Sequence, residues 1–298
     1  MPNPDTTPPQ RSEPPHATGD QSKGARRSER RVDGHPIETG GVVGMAGVVG
    51  PVGNASEMSL RRLDLSLQEA EANLALDEAL LMEAEGSDRP IETLRLWQFA
   101  DATVVIGRGS KIAGEVDLDY CRGAAIPVLR RCSGGAAIVA GPGCLMYSVV
   151  LDLQLRPELR KVDEAHAWVM SRLAEAVRQQ LEQVAWQGTC DLTFEGRKFS
   201  GNSLRIARDH LLYHGTILHD ADLERIPMCL KTPPRQPDYR EGRSHGDFVT
   251  NIPIDPRRLA DDIAIAFEAT SAPHGWPERA MNELLDERYR SAAWHERH

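Results

Sequence analysis

The sequence predicts an α+β fold, with mixed and antiparallel sheets flanked by helices. Three observations carry that expectation. Short strand-like runs fall into two blocks, residues 94–153 and 191–218. An amphipathic helix period over residues 162–184 separates the blocks, and two further helical stretches close the chain. Strands in runs, with helices set apart from them, mark an α+β domain rather than alternating β-α units.

Residues 1–57 read as a disordered leader and residues 58–298 as one catalytic-size domain. Residues 1–33 are rich in Pro, Ser, Arg and Asp, with almost no large apolar side chain to offset the entropy of ordering. The Gly/Val run at 40–53 lies too far in, and is too glycine-rich, for a signal peptide. Met58 directly precedes the first confident element, so translation is expected to start at Met1 or Met58.

Residues 67–84 then repeat apolar positions at helical spacing, including Leu67, Ala70, Leu74 and Leu81. Asn73 and Glu78 on this helix read as solvated or locally paired. Strands follow at 94–99 and 103–108, with Arg108 at the end of the second. A short helix, 115–123, leads to a strand, 125–131, which feeds a glycine loop. Gly141-Pro142-Gly143 makes a tight turn before a long strand, 144–153. In 162–184, Val162, Ala165, Val169, Leu173, Val177 and Leu181 form one buried face, joined by Trp168. Short strands return at 191–194, 198–200, 203–207 and 211–218, with Gly196 and Asp209-His210 in the turns. A helix at 220–230 precedes a polar, Pro-rich loop, 231–247, carrying Arg235, Tyr239, Arg240, Arg243 and His245. The closing helices, 256–270 and 277–290, each begin at a proline, which suits a first helical turn.

The chain has 298 residues, 40% of them hydrophobic, enough for one good core. Its formal net charge of -9 argues against nucleic acid and for small molecules or proteins as partners. The five cysteines form no CxxC pair and no metal-ligand spacing, so a reducing cytoplasm is expected and no protein-held metal. No apolar run approaches the roughly 20 residues that a membrane span requires.

Two stretches carry chemistry. The first is Arg130-Arg131-Cys132-Ser133-Gly134-Gly135-Ala136-Ala137. Adjacent glycines let backbone N–H groups approach an anion or a flat ligand, and the arginines add positive charge. The second runs from Cys190-Asp191-Leu192 through Gly196-Arg197-Lys198-Phe199-Ser200-Gly201-Asn202 to His214-Gly215-Thr216. Together they point to a site for a phosphate or a carboxylate.

These pieces, with Asn73-Leu74-Ala75-Leu76-Asp77-Glu78 and Thr103-Val104-Val105-Ile106-Gly107-Arg108, resemble the lipoate–protein ligase family from about residue 65 to 294. That family shares a catalytic fold with biotin ligases and octanoyltransferases. The resemblance implies that lipoate or octanoate is activated by ATP with Mg2+ and passed to a lysine of a carrier. Such carriers are the lipoyl domains of 2-oxoacid dehydrogenases or an H-like protein of glycine cleavage. Lys198 would hold the reacting carboxyl and the α-phosphate, stabilising charge that grows in the transition state. Asp191 would orient Lys198 or help bind magnesium. Arg108, Arg131, Ser133, Gly134, Gly135, Ala136, Ser200, Gly201, His214, Gly215 and Thr216 would contact the acyl group or nucleotide.

The chain departs from the family pattern in three places. Ala136 replaces a third glycine, Ala140 a frequent histidine, and Cys190 a common asparagine. The accessory domain of larger ligases is also missing, so a separate protein is a further expected partner. Two alternatives follow. One is an ATP-independent octanoyl or lipoyl transferase using Cys190 as a thioester carrier, its thiolate favoured by Lys198. The other is a non-catalytic module that binds lipoate or a lipoyl domain.

Overall fold

The computed structural model describes residues 60–233, 235–272 and 275–298. The expected leader, 1–57, and Met58 lie outside the described residues. In chain order, the first elements are β1 (Arg61–Asp64), α1 (Ala70–Glu85), β2 (Thr93–Trp97) and β3 (Thr103–Ile106). Next come α2 (Ile112–Glu115), α3 (Leu118–Gly123), β4 (Val128–Arg130), β5 (Ile138–Ala140), β6 (Cys144–Asp152) and α4 (Val162–Arg178). A strand block, β7 (Val184–Gln187), β8 (Asp191–Phe194), β9 (Arg197–Ile206) and β10 (His210–Leu218), follows. The last helices are α5 (Arg225–Cys229), α6 (His245–Phe248), α7 (Pro256–Ala266), α8 (Glu278–Leu284) and α9 (Ala292–His295).

A seven-stranded sheet runs β1-β2-β6-β10-β9-β8-β7. It is antiparallel except for the β1–β2 pair. Its central strands, β6 and β10, are buried along their whole length because both faces are covered. The pleat sorts their side chains. Leu145, Tyr147, Val149 and Leu151 pack with α4 and α7, whereas Met146 and Val150 pack with α1 and α8. A second sheet, β4-β3-β5, joins α3 and α5 in a smaller apolar cluster.

The α+β class holds; several boundaries differ for identifiable reasons. The long helix stops at Arg178, and Val184 begins edge strand β7 instead. Strands β1, β5 and β7, each of three or four residues, are additions to the elements expected from sequence. The two strands expected at 198–200 and 203–207 are one, β9, paired with β10 straight through Gly201 and Asn202. The 231–247 loop contains a 3-10 turn at Asp238–Arg240 and α6.

Asn73 and Glu78 are not solvated. Asn73 is buried, closing the entry to α1 through the N–H and C=O of Leu67 and accepting from Arg95. Glu78 receives Tyr289 Oη at 2.6 Å, Arg205 and Arg288. Burial alone would raise its pKa, but these donors outweigh it and hold the carboxyl low.

A buried arginine ties the chain end to the loop after β3. Arg130 is fully buried and donates to the carbonyls of Gly107 (2.8 Å), Ser110 (2.8 Å) and His295 (2.9 Å). Arg130 N donates to His295 Nδ1 at 2.9 Å, while His295 Nε2 donates to Tyr289 O at 2.8 Å. That pattern needs a neutral imidazole, and burial accordingly lowers the His295 pKa.

Candidate active site

The glycine loop between β4 and β5 is built around Arg131. Its guanidinium donates to Gly134 O (3.0 Å), Ala136 O (3.1 Å), Val105 O (3.2 Å) and Ser133 Oγ (3.1 Å). Burial pulls its pKa to about 10, so it stays charged at neutral pH. Much of its donor capacity goes to bracing the loop, a role the sequence did not indicate. Arg108 N donates to Ser133 O at 2.7 Å, pinning the backbone, while the Arg108 side chain is exposed. Glu115 accepts from Ala137 N at 2.7 Å, and Ser203 Oγ donates to Gly134 O at 2.9 Å.

Gly107 is required by close approach. A Cβ there would lie 2.0 Å from the backbone oxygen of Gly135. Gly107→Ala is expected to push the loop aside, costing about 1–3 kcal/mol of stability and weakening ligand capture. Thermal melts and a binding titration check this; wild-type values in both would contradict the packing argument.

Strands β8 and β9 bring Lys198 and Asp191 together. A bulge between Leu192 and Thr193 shifts the register, so Asp191 pairs with Gly201 and Thr193 with Lys198. Lys198 Nζ lies 2.7 Å from Asp191 Oδ1, and Tyr239 Oη donates to Asp191 Oδ2 at 2.8 Å. The lysine stem lies across Gly201, where a Cβ would fall 2.7 Å from both Cε and Nζ. Gly201 is therefore a place of close approach inside a strand, not a turn. At Gly215 a Cβ would meet Asn202 Oδ1 at 1.8 Å.

Cys190 corrects an expectation. Its Sγ lies 3.0 Å from Asn202 O. Burial raises the thiol pKa and the Asp191 charge adds to the rise; Lys198 and Arg131 pull the other way and lose. The thiolate is disfavoured, not favoured, because desolvation and the neighbouring carboxylate together outweigh the two cations.

Above Lys198 is an inner cavity of about 120 Å³. Leu74, Trp97, Val105, Ile138 and Met146 make its apolar wall, and Gly135, Ala136, Gly201, Gly215, Thr216, Arg131 and Lys198 also border it. Its polar lining includes Asp77 and His214. His214 Nδ1 lies 3.1 Å from Asp77 Oδ2, and His214 Nε2 lies 2.6 Å from Ser133 Oγ. Burial would raise the Asp77 pKa, but His214, Arg95 and Ser148 outweigh it and lower it. The Asp77–His214–Ser133 order resembles a serine-nucleophile relay. Ser133, however, is 1% exposed, accepts from Arg131 and is not part of the cavity wall, so it braces the loop. Sequence reading gave Asp77 and Arg95 no role; Arg95, the single charge in the strand TLRLW, was the available signal.

A second cavity of about 150 Å³, here called the outer one, also borders Lys198. Phe199, Ser200, Leu218, Ile226, Leu230 and Phe248 line it, with Arg235, Arg240 and His245 at its polar side. An open groove passes Gly109, Ser110, Lys111, Gly134 and Arg235. Ala136 borders both cavities and the groove. Of the sequence-predicted residues, Arg108, Ser133, Cys190 and Asp191 line none of these three spaces; Asp191 reaches them only through Lys198. Among the described residues, no group of three or more His, Cys, Asp or Glu side chains could hold a metal ion. None of the described helices is long and apolar enough to cross a membrane.

Comparisons with known proteins bear on the family and the fold. The family profile described as Lipoyl protein ligase A/B catalytic domain matches residues 69–258. "Probable lipoate-protein ligase A" of Mycoplasma pneumoniae is 30% identical over 159 residues, 53% of this chain and 45% of that protein. Lipoate-protein ligase A subunit 1 of Thermoplasma acidophilum is 27% identical over 74% of this chain and 90% of its own length. Octanoyltransferase LipM of Oceanobacillus iheyensis is 26% identical over 64% and 75%. The chain spans about half the length of the first curated relatives it matches. Among solved structures, the bi-partite lipoate protein ligase of T. acidophilum superposes with a TM-score of 0.68 at 22% identity, covering 80% of this chain and 96% of that one. A lipoate-protein ligase A bound with ATP superposes with a TM-score of 0.67 at 22% identity, covering 80% and 99%. These likenesses establish a common fold. The chain belongs to the lipoyl protein ligase A/B catalytic-domain family.

Proposed function

We propose that this protein activates lipoate or octanoate with ATP and transfers the acyl group to a lysine of a lipoyl carrier domain. The observation that carries the reading is Lys198, held by Asp191 at 2.7 Å, on the border between an inner acyl-sized cavity and an outer one. The inner cavity suits an apolar acyl chain. The outer cavity, with apolar walls and Arg240 and His245, suits the nucleotide. The carboxylate oxygen of the acid attacks the α-phosphorus and pyrophosphate leaves. The carrier amine then attacks the acyl carbon; the C–O bond to AMP breaks, and the amine gives up a proton as the amide forms. Lys198 supplies positive charge where both steps place negative charge.

Magnesium fits as part of the nucleotide. Asp191 is the carboxylate beside Lys198, and both its oxygens already accept hydrogen bonds. A Mg2+ ion held mainly by phosphates, with at most this one carboxylate, matches how that ion is commonly bound. A relative named as subunit 1, and a neighbour described as bi-partite, support a separate accessory subunit as partner.

The second reading is ATP-independent acyl transfer through Cys190, favoured by the relative named octanoyltransferase. The raised thiol pKa argues against it. Intact mass of a lipoyl domain separates the two. With lipoate or octanoate and MgATP, the domain is expected to gain one acyl group, and Cys190→Ala is expected to retain this within about threefold. Modification from an octanoyl thioester without ATP, abolished in Cys190→Ala, would overturn the first reading.

A further inference from the structure

Tyr239 has no role in the reaction as proposed, yet it touches the residue that holds Lys198. It lies in the 3-10 turn Asp238–Arg240, and its hydroxyl donates to Asp191 Oδ2 at 2.8 Å. The other oxygen of Asp191 holds Lys198 Nζ at 2.7 Å. Burial raises the Tyr239 pKa and the Asp191 charge adds to the rise, so the hydroxyl remains a donor.

The tyrosine is fixed from several sides. Its ring lies against Gly188, where a Cβ would come 3.2 Å from Cε1, and Gly188 holds a φ of +57°. The Phe248 ring is 5.2 Å away, centroid to centroid. Arg243 donates to Tyr239 O at 2.7 Å and to Gly196 O at 2.9 Å, clasping the loop to the β8–β9 turn. Thr250 N donates to Lys198 O at 2.9 Å. This loop also supplies Pro237, Arg240, His245 and Phe248 to the outer cavity. A ligand in the outer cavity would therefore touch the residues on either side of Tyr239.

We infer that Tyr239 is a positioning residue: it holds Asp191, through it the Lys198 ammonium, and links that hold to occupancy of the outer cavity. The inference rests on Lys198 as the charge acting at the reacting carboxyl. A hydrogen bond to a carboxylate restricts where its oxygens point, and the second oxygen then has one place to offer the lysine. Deleting the hydroxyl leaves the ion pair but frees its orientation.

Tyr239→Phe tests this, because the ring stays on Gly188 and only the hydroxyl goes. The first readout is the lysine ammonium spectrum of 15N-lysine-labelled protein, with the Lys198 signal assigned by its absence in Lys198→Met. It needs no turnover. The signal is expected to broaden or shift in Tyr239→Phe; an unchanged signal overturns the inference. The second readout is kinetic. kcat with MgATP is expected to fall about tenfold, the scale of one hydrogen bond to a charged group, with KM for the acyl acid unchanged. In an Asp191→Asn background, the same change is expected to add less than about twofold, since Tyr239 acts through Asp191. Full additivity, or a raised acyl KM at constant kcat, overturns the inference. If the wild type shows no ATP-driven modification while the ammonium signal responds to Tyr239→Phe, the positioning role stands and the ligase reading falls.

Discussion

Lys198→Met is expected to lower the rate of carrier modification about 10²–10³-fold, the cost of removing one preorganised charge from a transition state. The methionine keeps most of the stem that crosses Gly201. The lysine side chain is 28% exposed and its ion pair is partly solvated, so folding stability should change by less than about 1 kcal/mol. Asp191 keeps Tyr239 as a donor in the variant. Intact-mass time courses and a thermal melt read the two quantities. Equal rates in variant and wild type would remove Lys198 from the chemistry. A large fall in stability would turn it into a folding residue.

Arg95→Met is expected to destabilise the fold by about 3–5 kcal/mol, because it strands a buried carboxylate. Arg95 is fully buried and donates to Asp77 Oδ1 at 2.7 Å, Asn73 O at 2.8 Å, Asn73 Oδ1 at 2.7 Å and Leu65 O at 3.0 Å. Its removal leaves Asp77 with Ser148 and His214, and takes a donor from Leu65 O, Asn73 O and Asn73 Oδ1. Because Asp77 and His214 border the inner cavity, acyl affinity should fall with stability. Adding Asp77→Asn should recover part of the lost stability, since the stranded charge is then gone. Urea unfolding decides: a loss under about 1 kcal/mol, or no recovery in the double variant, would contradict the buried-pair account.

The parts of the fold legible in sequence were those whose pattern follows one period. In α4, Ala165, Val169, Leu173 and Val177 recur on one face and all four are buried, whereas Val162, expected on that face, is exposed in the first turn. Strands β6 and β10 read clearly because each is a nine-residue stretch rich in large apolar and aromatic residues, bounded by turn residues. Strands β1 and β5 were hidden because three or four residues carry no period; their partners, Thr93 to Leu96 and Thr103 to Val105, are distant in sequence. Gly201-Asn202 looked like a turn because a glycine's need for close approach and its liking for turns leave the same letter. Only the position of the Lys198 side chain tells them apart.

The candidate site was legible as motifs and not as contacts. Lys198, Asp191, Gly135 and Gly201 were named from sequence and converge in space. Arg131, expected at the ligand, borders the inner cavity and also directs donors to the loop carbonyls of Gly134 and Ala136. The pairing of Asp77 with Arg95 went unnoticed because a buried ion pair between a helix and a strand has no local spacing. At Cys190 a neighbouring lysine argues for a thiolate, whereas burial and the adjacent Asp191 push the thiol pKa up.

Exchange of radiolabelled pyrophosphate into ATP, driven by the acyl acid, reports acyl-adenylate formation without a carrier. Exchange is expected to require lipoate or octanoate, to survive Cys190→Ala, and to drop to background in Lys198→Met. No exchange, together with carrier modification from an acyl thioester in the absence of nucleotide, would overturn the ligase reading.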